Sequence, residues 1–175
     1  TPSNTANNLL AQDIPATDML RLHASSRSRE NVPDSLRPVS NLTEAGYTFP
    51  PMTQLAKYKV LVTTLVTAGK LVSAMFPNNH FQLVFIDEAG QATEPETCVA
   101  LAGLVTPNTM STHSGACSQI VMAGDPKQLG PIVRSPIADK FGMSISLMER
   151  LMASPPYSLT PTGYDNRCIT KLTRN

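Results

Sequence analysis

The chain has 175 residues, 41% of them apolar and 15% charged, with a formal net charge of +1; this fits one globular core, or part of one, and excludes a highly charged disordered segment. Near-neutral charge offers neither a basic excess for nucleic acid nor an acidic tail, so any nucleic-acid contact has to be local. Cys98, Cys117 and Cys168 are odd in number and widely spaced, and His23, His80 and His113 do not cluster with them, which speaks against a disulfide framework or zinc site and for a reducing compartment.

Residues 5–13 follow the helix-starting pair Ser3/Asn4, with Ala6, Leu9 and Leu10 at helical spacing, and predict a short helix. Between 14 and 51 the prolines Pro15, Pro33, Pro38, Pro50 and Pro51 predict an irregular excursion from the main sheet, strand-like only at Met19–His23 and Tyr47–Phe49. Arg21, His23, Arg27 and Arg29 read there as a solvent-facing basic stretch. A regular alternation follows: strand at 58–63, helix at 68–76, strand at 81–86, helix at 94–104 with Pro95 in its first turn, a polar loop at 106–118, and strand at 119–123. Strand, helix, strand, helix, strand implies an α/β fold with a parallel sheet and right-handed crossovers. Two further helices are expected, 136–141 ended by Gly142 and 145–152 ended before Pro155-Pro156, the second with Met148, Leu151 and Met152 as a core stripe. No run of eighteen apolar residues and no charged-then-apolar leader is readable, so no membrane partner is expected and the cytoplasm is the expected location. The opening Thr1-Pro2 without an initiator Met and the closing Lys171-Leu172-Thr173-Arg174-Asn175 are expected to be cut ends of a longer polypeptide.

Chemistry concentrates at strand ends. Val84-Phe85-Ile86 breaks off in Asp87-Glu88-Ala89-Gly90-Gln91, and Val121-Met122-Ala123 breaks off in Gly124-Asp125-Pro126-Lys127-Gln128. Together with Thr63-Thr64 these ends are expected to converge at one sheet edge, the usual ligand-binding edge of open α/β sheets. An adjacent carboxylate pair suits phosphate chemistry, one member holding Mg²⁺ through water and the other orienting an attacking water. The same pair would also serve as a helix cap or a solvated strand end. Ser3-Asn4 equally suits a plain N-cap, and Thr63-Thr64 ordinary strand propensity. Lys127 is assigned no role.

The strings Asp87-Glu88-Ala89-Gly90-Gln91-Ala92-Thr93-Glu94-Pro95-Glu96 and Ala123-Gly124-Asp125-Pro126-Lys127-Gln128-Leu129-Gly130-Pro131 resemble motifs II and III of superfamily 1 helicases, and within them the up-frameshift-like RNA helicases. Glu94-Pro95-Glu96, Gly130 and the run from Leu61 to Ala74 are most similar to the Armitage-type, Moloney-leukaemia-virus-resistance branch, and the resemblance extends from Thr1-Pro2-Ser3-Asn4, similar to motif Ia, to Thr170-Lys171-Leu172. It implies a fragment, residues 1–175, of the first RecA-like domain of an ATP-dependent RNA helicase acting on single-stranded or duplex RNA. The resemblance further implies work in RNA silencing or turnover, with ribonucleoprotein silencing or decay factors as partners and ribonucleoprotein granules as a site. ATP and Mg²⁺ are the implied cofactors: Asp87 holds Mg²⁺, Glu88 is the general base, Gln128 reports the γ-phosphate, and Gly124 and Asp125 shape its loop. Pro2, Ser3, Asn4, Thr63 and Thr64 would line the RNA groove, meeting phosphate and ribose without reading bases. Gln91 and Glu94 either tie motif II to its neighbours or cap a helix.

The family's phosphate-cradling loop, G-x-x-x-x-G-K-S/T, does not occur; Gly69-Lys70-Leu71 lacks the earlier glycine and the hydroxyl. The expected fold is therefore a partial RecA-like P-loop NTPase domain lacking its phosphate-loop strand, with exposed strand edges and little hydrolysis of its own. A non-catalytic RNA-binding scaffold and a DNA helicase of the same superfamily are the alternatives.

Overall fold

In the computed structural model, which describes residues 2–12, 14–77, 80–105 and 118–172, the first element is a helix, α1 (Pro2–Ala11). Its proline sits in the first turn, where a missing N–H leaves no bond unmade. The helix starts earlier than the Ser3/Asn4 signal predicts. Ser3 is inside it, buried, its hydroxyl without a hydrogen-bond partner among the described residues; what fixes the helix is apolar packing, Ala6 fully buried with Leu9 and Leu10 against the same core.

The chain divides into two compact units, Thr1–Val84 with Cys98–Gln119, and Phe85–Thr97 with Ile120–Asn175. In the first, α1 is followed by β1 (Met19–Arg21), 3-10 turns at Arg29–Asn31 and Asp34–Leu36, an antiparallel hairpin of β2 (Leu42–Thr43) and β3 (Gly46–Tyr47), α2 (Met52–Leu55), β4 (Val60–Val62) and α3 (Leu65–Ser73). β1 and β4 are parallel, with Met19 opposite Val60 and Arg21 opposite Val62. Alternate residues of this pair enter two cores. Met19 and Val62 join Ala6, Val32, Leu36 and Val39. Leu20 and Leu22 join Leu55, Leu71 and Phe76. Burial on both faces explains the continuous apolar character of β4. The excursion expected at 14–51 thus contributes one true sheet strand, within the strand-like Met19–His23, together with two 3-10 turns and a small hairpin; α2 follows just beyond it.

β5 (Leu83–Ile86), α4 (Glu94–Leu101) and β6 (Gln119–Met122) come next. β5 and β6 are bonded by Gln119 N–H to Gln82 O and Ala123 N–H to Ile86 O, both at 2.8 Å, a constant offset that makes the pair parallel. The single parallel sheet read from the sequence is therefore two parallel pairs, since β4 bonds β1 and β5 bonds β6 among the described residues. Hydrophobic pattern identifies strands but not their neighbours. It also overstates burial here: Leu83, Phe85, Ile120 and Val121 are exposed, Phe85 by 70%. The polar loop expected at 106–118 lies outside the described residues except for Ser118, as do Thr1 and Asp13. α5 (Pro136–Lys140) and α6 (Leu147–Met152) complete the second unit, each capped by a serine, Ser135 and Ser146, whose hydroxyl accepts a backbone N–H two or three residues into the helix. Gly142 follows α5 with a positive φ of 86°, as its helix-ending role requires.

Arg21 and His23, expected in solvent, are each only 2% exposed. Arg21 shares a strand face with Met19, and its guanidinium turns onto the strand-end carbonyls, donating to Leu22 O at 2.6 Å and Val62 O at 3.0 Å. His23 is held by the Asn41 side chain, which accepts from His23 N–H at 2.7 Å and donates to His23 O at 3.2 Å, as a neighbouring strand would. Burial, with Arg27 nearby, lowers the Arg21 pKa to about 10; burial, then Arg21 and Arg27, lowers that of His23 to about 4. His23 is thus neutral when folded, whereas the unfolded chain takes up its proton near pH 6.5. Stability should fall as pH is lowered through the window from 6.5 to about 4, and thermal denaturation should show a shallower fall in His23→Gln between those limits. Parallel curves for the two proteins would remove His23 as the cause.

Candidate functional site

Asp87 and Glu88 form the exposed turn at the C-terminal tip of β5. Glu88 has φ 55° and ψ 38°, a left-handed conformation that is uncommon for any residue but glycine and costs about 1–3 kcal/mol. Strained backbone of this kind persists where surrounding contacts over-determine it, and they do. Ala89 N–H donates to Ala123 O at 2.8 Å, so the β5–β6 ladder continues past both strands into the two polar loops. Gly124 packs on Gly90: a Cβ on Gly124 would lie 3.1 Å from Gly90 N, 3.2 Å from Ala89 N and 3.2 Å from the Met148 methyl. A Cβ on Gly90 would lie 3.3 Å from Asp125 O. Two glycines are needed because two backbones touch.

The side chains are steadied locally. Asp87 Oδ1 accepts Glu88 N–H at 3.1 Å, and Gln91 Nε2 donates to Glu88 Oε2 at 3.3 Å. In the second loop Asp125 Oδ1 accepts Lys127 N–H at 2.9 Å, Gln128 N–H donates to Asp125 O at 3.1 Å, and Gln128 Nε2 reaches Asp125 Oδ2 at 3.4 Å. Asp125 therefore builds the turn that presents Gln128. A 3-10 turn, Ala89–Gln91, leads from Glu88 toward α4, whose start is a capping box: Thr93 N–H and Oγ1 donate to Glu96 Oε2 at 3.1 and 3.0 Å, and Glu96 N–H returns to Thr93 Oγ1 at 3.4 Å. Glu94 is free of that box and meets Arg150 of α6 instead, Nε to Oε2 at 2.6 Å and Nη2 to Oε1 at 2.7 Å. The Arg150 hydrogen bonds hold the Glu94 carboxyl below the usual carboxylate range.

Asp87, Glu88, Gly124, Asp125 and Gln128 are thus assembled together in the second unit. Pro2, Ser3, Asn4, Thr63 and Thr64 belong to the first, where α1 packs against β4. There Asn4 is exposed, Ser3 is buried, and Thr63 Oγ1 donates to Leu22 O at 3.1 Å. Thr64 is the N-cap of α3, its hydroxyl accepting Thr67 N–H at 3.3 Å, which is why that helix starts at Leu65 rather than at Ala68. Gly69 lies inside α3, where a Cβ would come within 2.6 Å of Val99 Cγ1; it is a packing glycine.

A family model described as an AAA domain matches residues 16–136. The chain belongs to the AAA domain family. Among curated proteins it is 45% identical to a Danio rerio protein named as a helicase, mov-10-B.1, over 99% of this chain and 17% of that protein. It is also 45% identical to Gallus gallus MOV-10, again named as a helicase, over 99% and 19%, and 35% identical to the Homo sapiens RNA helicase Mov10l1 over 99% and 14%. The chain therefore spans less than a fifth of these relatives. These matches bear out the resemblance read from the two strand-end motifs.

Sequence reading missed Arg150 and Met148 as neighbours of this AAA domain's site. Pairing across 56 residues, as in Glu94–Arg150, leaves no local periodicity to read. Gly124→Ala should destabilise by about 1–3 kcal/mol, the usual range for forced overpacking, measured by urea denaturation. The loss should persist in a Met148→Ala background, because the methyl can yield and the backbone nitrogens of Ala89 and Gly90 cannot; full recovery there would place the clash on Met148 alone.

Proposed function

We propose that this chain is part of the first RecA-like domain of an ATP-dependent RNA helicase, spanning motif Ia to just beyond motif III. The observation that carries the reading is the bonded pair of strand tips, which sets Asp87-Glu88 beside Asp125–Gln128 with Glu88 in a left-handed backbone. Mg²⁺ in phosphoryl transfer is held by one or two carboxylates together with substrate phosphates and water. Asp87, exposed at the tip of β5, is the residue to hold it. Bound there with ATP, Mg²⁺ supplies neutralisation of charge on the β- and γ-phosphates.

Glu88 accepts the proton of the attacking water, and its turn aims the carboxylate while Gln91 steadies it. Gln128 exchanges its 3.4 Å bond to Asp125 for the γ-phosphate, so nucleotide state is registered in the loop bonded to motif II. Gly124 and Asp125 hold that loop in shape. RNA runs along Pro2, Ser3 and Asn4 at the start of α1 and Thr63-Thr64 after β4, where exposed Asn4 and backbone groups offer sequence-neutral contacts to phosphate and ribose. A complete motor also needs a phosphate-cradling loop and transition-state arginines, which these residues do not supply. The relative Mov10l1, named an RNA helicase, supports RNA over DNA as the track; work in RNA silencing or turnover, in the cytoplasm and its ribonucleoprotein granules, is part of the same proposal.

The test is RNA-stimulated phosphate release from the complete two-domain protein. Glu88→Gln should lower the rate by about 10²- to 10⁴-fold, the range for a lost general base, with nucleotide and RNA binding retained. Binding of RNA with no release above that of the variant would make the protein a scaffold; equal stimulation by matched DNA would make it a DNA motor.

A further inference from the structure

The loop that carries Glu88 is fixed at three points, and two of them lie on α6. Ala89 is bonded to Ala123, Gly90 lies under the Met148 methyl, and Glu94 is forked by Arg150. Met148 is 7% exposed, and its Cε sits 3.4 Å from the place of a Cβ on Gly90 and 3.2 Å from that of one on Gly124. The helix packs directly on the Ala89–Gln91 turn. α6 therefore spans both polar loops from behind, and its only charged fork onto the motif II side among the described residues is Arg150 with Glu94.

A planar guanidinium meeting a carboxylate through two parallel bonds fixes orientation as well as distance. It does little for stability here: the Arg150 and Glu94 side chains are 55% and 33% exposed, and exposed pairs are worth about 0–1 kcal/mol. A bidentate contact with so little to add to folding, next to a strained catalytic turn, points to a geometric role. We propose that Arg150 is a positioning residue for hydrolysis, acting through Glu94 to hold the 88–94 segment, and with it the Glu88 carboxylate, in register with Gln128. The inference rests on the reading of Glu88 as general base. In this proposal Arg150 acts through Glu94 and not on nucleotide or RNA.

The experiment is steady-state, RNA-stimulated phosphate release by the complete protein, with wild type, Glu88→Gln, Arg150→Ala, Glu94→Ala and the charge exchange Glu94→Arg/Arg150→Glu. Arg150→Ala and Glu94→Ala should each lower kcat by about 10- to 100-fold, as displacement of a catalytic group by an ångström does, with KM for ATP and the melting temperature unchanged. The exchange should recover most of kcat. A merely structural bridge would lower the melting temperature and scale all parameters together, and that pattern, or a wild-type kcat in Arg150→Ala, overturns the proposal. Glu88→Gln separates the two readings: if it turns over normally the general-base assignment fails, whereas a dead Glu88→Gln beside a normal Arg150→Ala leaves the site standing and removes only the positioning role.

Discussion

The hydrogen bond from Ala89 N–H to Ala123 O makes the rest of the site possible. A backbone bond of this kind contributes only about 0.5–1.5 kcal/mol net, no more than the strain of about 1–3 kcal/mol at a left-handed glutamate, so it leaves little margin to hold Glu88 alone. It works because the two chains it joins are allowed to touch, Gly124 against Gly90, and because Met148 closes the gap behind them. Strain at one residue is offset by packing at several others, as expected of a turn that must present a carboxylate outward. Two loops bonded backbone to backbone also cannot move independently.

The first unit solves a different problem. β1 and β4 are covered on both faces, so their polar strand ends must be satisfied internally. Arg21 does this for the carbonyls of Leu22 and Val62, and Asn41 does it for His23. The result is a buried basic group beside a neutral histidine, which ties the order of this strand end to pH. By contrast β5 and β6 leave Leu83, Phe85, Ile120 and Val121 exposed.

Much of the chemistry was legible because it is encoded locally. Apolar runs that stop at Asp87-Glu88 and at Gly124-Asp125 mark strand ends within the alternation of strands and helices, and the family resemblance follows from the same strings. Helix α5 was readable from Pro136 and Gly142, and α6 from the stripe of Met148, Leu151 and Met152 ended before Pro155-Pro156, for the same reason. What could not be read is long-range: that β4 takes β1 as its partner, that Arg21 and His23 turn inward, and that Arg150 reaches Glu94. The Thr64 cap and the Thr93–Glu96 capping box are local, but each sits inside a motif whose functional interpretation masked its structural one.

The measurement that tests the account most directly is a crystal structure of the complete protein with Mg²⁺, a non-hydrolysable ATP analogue and a short RNA strand. The account predicts Mg²⁺ on the Asp87 carboxylate, the Gln128 amide on the γ-phosphate instead of on Asp125, Glu88 still left-handed, and the Ala89–Ala123 bond intact. A nucleotide bound away from the β5 and β6 tips, or a Glu88 turn that relaxes once ATP is present, would contradict it.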